Sequence, residues 1–281
     1  INHAEEELEI KYDETQKNAI KNALNNPISI LTGGPGTGKT TIINGILMCL
    51  KELAEIPSGA LYSEDPPFLL AAPTGRAAKR MSEITDISAK TIHRLLGLGI
   101  GENDATDVNE LNGEILIIDE MSMVDVMLFH SLLKAVAKGT RLVMVGDVDQ
   151  LPSVGAGYVL HDLIESGRFS SVCLKEIFRQ AQSSLIVRNA HAINDGIYPD
   201  LTVKDGDFFF LRRDDERNIA PTVADLIINR LPKSYGEEIR GGIQVITPSH
   251  KGAAGTACLN AMLQNALNPH DPKKNERKVR D

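Results

Sequence analysis

The sequence contains no tryptophan, and aromatic residues fill only 4% of its 281 positions. A surface that grips bases by stacking must therefore rely on a few Phe and Tyr side chains. Cysteine is scarce too. Cys49, Cys173 and Cys258 lie far apart, none at metal-ligand spacing from a His or another Cys. That argues against a disulfide framework and a structural zinc site, and the three are expected to be buried, reduced thiols. No apolar run approaches the roughly 20 residues that span a bilayer. Residues 1–10 are acidic and polar, without the apolar core of a secretory signal. A cytoplasmic chain with no membrane partner is expected. Basic residues are outnumbered, 30 Lys and Arg against 38 Asp and Glu, for a net charge of −8. That balance argues mildly against nucleic acid, although net charge averages over the whole surface. Arg76, Lys79 and Arg80 cluster, as do Lys273, Lys274, Arg277, Lys278 and Arg280. One basic groove is enough to track a strand.

What is present fits a globular α/β protein. The chain alternates short β-branched runs with helical patterns. Ile28–Leu31, Phe68–Ala72, Ile115–Ile118 and Arg141–Val145 read as strands, and residues 39–54 and 124–136 read as helices by their apolar spacing. That rhythm implies a parallel sheet covered by helices on both faces, with ligands at the carboxyl ends of the strands. After about residue 170 the rhythm restarts. Val172–Leu174, Phe208–Phe210 and Ile243–Ile246 read as strands, and 185–194, 219–230 and 253–267 as helices. The expected organisation is a first α/β domain over residues 1–170 and an incomplete second one over 171–281. The sequence opens on Ile rather than Met, and its last residues have no terminating character. It is expected to be a piece of a longer protein.

Residues 33–40 read Gly33, Gly34, Pro35, Gly36, Thr37, Gly38, Lys39, Thr40, the G-x-x-x-x-G-K-[ST] pattern of a phosphate-binding loop between strand and helix. Glycines let the backbone turn its N–H groups toward phosphates, and the helix N-terminus adds partial positive charge. Lys39 supplies a point charge for the β- and γ-phosphates of ATP, and the Thr40 hydroxyl suits Mg²⁺. Thr41 completes the binding stretch. A metal partner is expected from a neighbouring strand end. Asp119 fits, with Glu120 beside it as proton acceptor for an attacking water. Gln150, after a third strand end, has an amide that both donates and accepts and can contact a γ-phosphate. Asp147 and Asp149 can instead be loop caps, Asp149 above all.

These motifs are joined, in order, by residues 72–78 (APTGRAA), 91–96 (TIHRLL), 119–122 (DEMS), 146–155 (GDVDQLPSVG) and 178–180 (FRQ). Together, over about residues 13 to 267, they resemble superfamily 1 DNA helicases of the RecD type, the exodeoxyribonuclease V alpha-subunit family. The resemblance implies a RecA-like P-loop fold and ATP-dependent 5′ to 3′ translocation on single-stranded DNA, in recombination or repair. It implies that Gln16 reads the adenine edge. It assigns Pro73, Thr74, Gly75 and Arg76, then Thr91 and His93, then Ser153 and Val154, to strand contact. His93 is equally readable as a packed helix histidine. Thr247 and Lys251 resemble a strand contact of the second motor domain. Arg179 matches the arginine that reaches the γ-phosphate from that domain, unless it pairs locally with Glu176.

The family's later motifs, including the last arginine-bearing one, are missing. The chain is therefore expected to be a truncated motor that binds nucleotide, hydrolyses it poorly and does not unwind duplex alone. A non-helicase P-loop ATPase and a nucleotide-gated clamp remain as alternatives. Whether the parent acts alone or within a nuclease complex stays open.

Overall fold

A computed structural model describes residues 1–63, 66–98, 109–174 and 183–269. Its centre is one six-stranded parallel sheet. The strands are β1 (Ile28–Gly33), β2 (Phe68–Ala72), β3 (Ala89–Thr91), β4 (Ile115–Ile118), β5 (Arg141–Gly146) and β6 (Ser170–Leu174). Their spatial order is β3-β2-β4-β5-β1-β6. The pairing register runs Ile28 to Leu142 and Ser29 to Ser170 around β1, and Phe68 to Ile115 between β2 and β4.

Every residue of β2 and β4 is buried, which is why both read as unbroken apolar runs. Side chains alternate between two faces. Leu31, Phe68, Leu70, Ile115, Ile117, Val143 and Val145 enter one core cluster. It is covered by helices α1 (Asn2–Glu7), α2 (Glu14–Asn25) and α3 (Lys39–Leu53), with Met81 from α4 (Gly75–Thr85). Ile30, Leu69, Ala71, Leu116, Ile118, Leu142 and Met144 enter the other. It is covered by α5 (Ile92–Leu96), α6 (Val126–Ala135) and α7 (Val159–Glu165). Each large side chain so buried contributes about 1.5–3 kcal/mol.

The chain forms two compact units, residues 1–208 and 209–281. The boundary expected at residue 170 falls at the start of β6, which pairs with β1 and closes the first sheet. Val172–Leu174 is thus a strand, but of the first sheet rather than of a second one. Helix α8 (Leu185–Asn194) follows in the same unit. In the second unit α9 (Ile219–Asp225) runs through a π-helical turn (Leu226–Arg230) into α10 (Leu231–Tyr235), and α11 (Thr256–Leu267) comes last.

The strands expected at Phe208–Phe210 and Ile243–Ile246 do not form. Neither run pairs with a strand of the sheet. Phe209, Phe210 and Ile246 are exposed. The cysteine expectation also fails in part: Cys49 is buried, Cys258 is half-buried and Cys173 is exposed. Cys173 sits on the edge strand β6, where only Val172 and Leu174 turn inward. No helix among the described residues is long and apolar enough to cross a membrane.

Candidate nucleotide site at the strand ends

The loop after β1 is built around its own backbone. Gly36 and Gly38 have φ of 74° and 85°, a region that L side chains rarely enter, so the chain can turn there and open α3. Thr37 is buried and its hydroxyl donates to the Gly34 carbonyl at 2.8 Å, pinning the turn. Gly33 and Gly34 are buried, Pro35 and Gly36 are exposed, and Gly38, Lys39, Thr40 and Thr41 are half-buried. The Lys39 ammonium folds back to donate to the carbonyls of Gly33 (2.5 Å) and Gly34 (3.0 Å).

Two strands away in the sheet, β4 ends on Asp119 and Glu120. Asp119 Oδ1 accepts the Glu120 N–H at 2.8 Å. Glu120 has φ 54° and ψ 42°, left-handed backbone on a residue with a side chain. Burial pushes the Asp119 carboxyl above its ordinary range, opposed by the Glu120 N–H and by the charges of Lys39 and Arg80. Glu120 is pushed up by burial first and by Asp119 second, and the Lys39 and Arg80 charges again oppose. The two acids and the loop lysine therefore share one electrostatic environment.

Between β4 and β1, β5 leads into residues 147–150. Asp147 is buried and accepts the Asp149 N–H at 3.1 Å and the Gln150 amide at 3.4 Å. Asp147, not Asp149, is the loop cap, while Gln150 is exposed. Val148 N–H donates to the Thr32 hydroxyl at 3.4 Å, tying this loop to β1.

Gln16 is buried in a capping box. Its Oε1 accepts the Asp13 N–H at 3.0 Å, and its Nε2 has no partner among the described residues. A buried amide donor without an acceptor costs about 1–3 kcal/mol and suits a ligand acceptor. No cluster of three His, Cys, Asp or Glu side chains among the described residues could cage a metal. Mg²⁺ does not need one, since it is commonly held by one or two carboxylates together with substrate phosphates. Thr40 and Asp119 fit that pattern.

Pro73 lies past the end of β2, Thr74 caps α4 by accepting the Ala77 N–H, and Gly75 and Arg76 are exposed on its first turn. Thr91 caps α5 by accepting the Arg94 N–H. His93 is exposed, not packed. The Ser153 hydroxyl donates to the carbonyls of Gly155 and Gly157, leaving Val154 fully exposed. Thr247 and Lys251 belong to the second unit, where the Thr247 hydroxyl donates to the Ala254 carbonyl. Arg179 and its suggested partner Glu176 lie outside the described residues, as does the basic cluster from Lys273 to Arg280. Sequence reasoning passed over His191. It lies on α8 beside Gly34, and no spacing in the sequence signals it.

Residues 16–156 match the family described as an AAA domain. The chain is 35% identical over 256 residues to the ATP-dependent RecD2 DNA helicase of Deinococcus radiodurans, covering 91% of this chain and 33% of that protein. It is 41% identical over 171 residues to the RecBCD enzyme subunit RecD of Mycobacterium tuberculosis, covering 55% of this chain and 29% of the relative. The chain thus spans about a third of the length of these curated relatives. The similarity to RecD-type proteins expected from the motifs is found. Among solved structures, the Pif1 helicase of Candida albicans matches with a TM-score of 0.52 at 23% identity, over 78% of this chain and 55% of that one. It shares the fold, a parallel sheet flanked by helices.

Proposed function

We propose that this chain, which belongs to the AAA domain family, is the ATP-driven motor part of a RecD-type DNA helicase. The observation that carries the proposal is a placement: the phosphate loop after β1, with its left-handed Gly36 and Gly38, and the acids after β4 lie at the carboxyl ends of one parallel sheet. Two carboxyls at the tip of β4 are pushed up by burial, and the charge of the phosphate-loop lysine holds both back. A lysine at a helix mouth facing two acids is the arrangement that a triphosphate and its cation require.

In this reading the N–H groups of Gly34 and of residues 36–40 cradle the phosphates of ATP, and Lys39 leaves the Gly33 and Gly34 carbonyls for the β- and γ-phosphates. Mg²⁺, which would draw charge from the phosphates when bound, would be held by Thr40 and Asp119. Glu120 takes the proton of the attacking water. Gln150 contacts the γ-phosphate. Arg179 supplies the finger for the transferring phosphoryl group. The free Nε2 of Gln16 donates to the adenine edge.

In the first unit single-stranded DNA lies over Pro73, Thr74, Gly75, Arg76, Thr91, His93, Ser153 and Val154. Thr247 and Lys251 are taken as strand contacts of the second unit by itself. Movement is 5′ to 3′, in recombination or repair. The name "RecBCD enzyme subunit" of one relative supports a place in a nuclease complex.

The test is ATP turnover by the full-length protein with and without single-stranded DNA. Many-fold stimulation, lost in Lys39→Ala, is expected. Turnover indifferent to any nucleic acid would instead mean a P-loop ATPase that is not a helicase.

A further inference from the structure

His191 belongs to none of the motifs used above, yet α8 delivers it to the phosphate loop. The Cβ that an alanine would add at Gly34 falls 3.1 Å from His191 Cε1 and 3.6 Å from its Nε2. The ring edge that bears Nε2 thus closes on the loop backbone at a position with no room to spare for a side chain. That Nε2 is shut off from solvent and has no hydrogen-bond partner among the described residues. A buried polar atom left unpaired is costly and calls for an explanation.

The helix that carries the ring is fixed at its start and at its middle. At its start Ser184 Oγ accepts the Val187 N–H, and Asp207 Oδ1 accepts the Leu185 N–H at 2.8 Å. Farther along, buried Asn189 donates to the Asp200 carbonyl and accepts its N–H at 2.9 Å. The Gly34 that His191 touches is also the residue whose carbonyl receives both Thr37 and Lys39. Three polar side chains therefore converge on one residue of the loop, and the other two are already paired.

We propose that His191 is a further nucleotide-contacting residue, whose Nε2–H donates to an oxygen of the phosphate chain held by residues 34–40. This rests on the nucleotide reading given above. An imidazole protonated at Nε2 is a donor, and a phosphate oxygen is the strongest acceptor that an anion-binding loop can bring to it. The contact would bring α8 into the phosphate shell alongside the loop itself, so nucleotide would be held by α8 as well as α3.

The test uses the full chain and three probes, Mg·ATP, Mg·ADP and Mg·tripolyphosphate, with affinities read by calorimetry. His191→Leu keeps the bulk and removes the donor. It is expected to bind ATP and tripolyphosphate about ten-fold more weakly. His191→Gln places an amide N–H near the Nε2 position and is expected to stay within about three-fold of the parent. An unchanged ATP affinity in His191→Leu overturns the inference. Loss for ATP with tripolyphosphate unaffected overturns the phosphate assignment and points to the ribose. Failure of the unsubstituted chain to bind ATP overturns the nucleotide reading instead.

If His191→Leu does not fold, judged by its melting curve, the unsubstituted chain decides. Its His191 Nε2 resonance, identified by its absence from His191→Gln, is expected to move when tripolyphosphate is added. A resonance that stays put refutes the contact.

Discussion

The Lys39 ammonium donates to the Gly34 carbonyl at 3.0 Å, within the loop from which it springs. With its bond to Gly33, two of the three ammonium donors are paired within the loop. Phosphate must compete for a lysine that already has partners.

Lys39→Ala should therefore separate stability from function. The buried Gly34 carbonyl keeps the Thr37 hydroxyl and only the Gly33 carbonyl loses this donor, so stability is expected to fall by no more than about 1–3 kcal/mol. Nucleotide turnover is expected to fall by at least about 100-fold, because a charge aimed at the transferring phosphoryl group is lost. Urea melts and steady-state turnover check the two halves. A large stability loss would mean that the lysine is a structural staple.

The acids at the tip of β4 make stability depend on pH. Asp119 has a folded pKa raised above its ordinary value of 3.8. The folded chain therefore holds its proton more tightly than the unfolded chain does. Charged Asp119 destabilises the fold at neutral pH, and the penalty fades as pH falls through the folded pKa toward the unfolded one. Asp119→Asn keeps an Oδ1 acceptor for the Glu120 N–H and removes the charge. It is expected to be more stable than the parent at pH 7, with the gap narrowing as pH approaches the ordinary carboxylate range. Paired urea melts at pH 7 and pH 4.5 measure this. A gap that is constant, or that widens in acid, would contradict the burial argument.

Glu120 combines two costs, a left-handed φ of 54° and a carboxylate that is penalised by burial first and by Asp119 second. The first is worth about 1 kcal/mol for a residue with a side chain. Glu120→Gly is expected to relieve both, raising stability by about 1 kcal/mol or slightly less once the added chain entropy is counted. Turnover should be nearly abolished while nucleotide binding persists. A variant less stable than the parent would show that Glu120 holds the loop rather than being held by it.

How far the sequence was legible follows from where each signal resides. Phe68–Ala72 and Ile115–Ile118 were readable to the residue because a strand buried on both faces must be apolar throughout. The phosphate loop was readable because its glycines and Lys39 stand at a fixed spacing. Val172–Leu174 was readable as a strand but not as β1's neighbour, since pairing across some 140 residues leaves no local trace. Phe208–Phe210 and Ile243–Ile246 have strand-forming side chains, but strand propensity is expressed only beside a partner. His191 was invisible for a related reason. Its only signal is contact with Gly34, 157 positions away by number (191 − 34), and a lone histidine on a helix is ordinary.

Arg76 tests the strand-binding face. It is exposed on the first turn of α4, directly after the Thr74 cap, and has no ion pair among the described residues. The net charge of −8 makes each such free cation count for more in holding a polyanion. Arg76→Ala should weaken binding of single-stranded DNA about equally for all sequences, because a phosphate contact carries no base information. The slope of log affinity against log salt should drop by about 0.7, the value for one released counterion on a single strand. ATP affinity without DNA should not change. Fluorescence anisotropy over a salt series, with homopolymer and mixed-sequence oligonucleotides, measures all of this. An unchanged slope would remove Arg76 from the DNA path, and a sequence-dependent loss would make it a base reader instead.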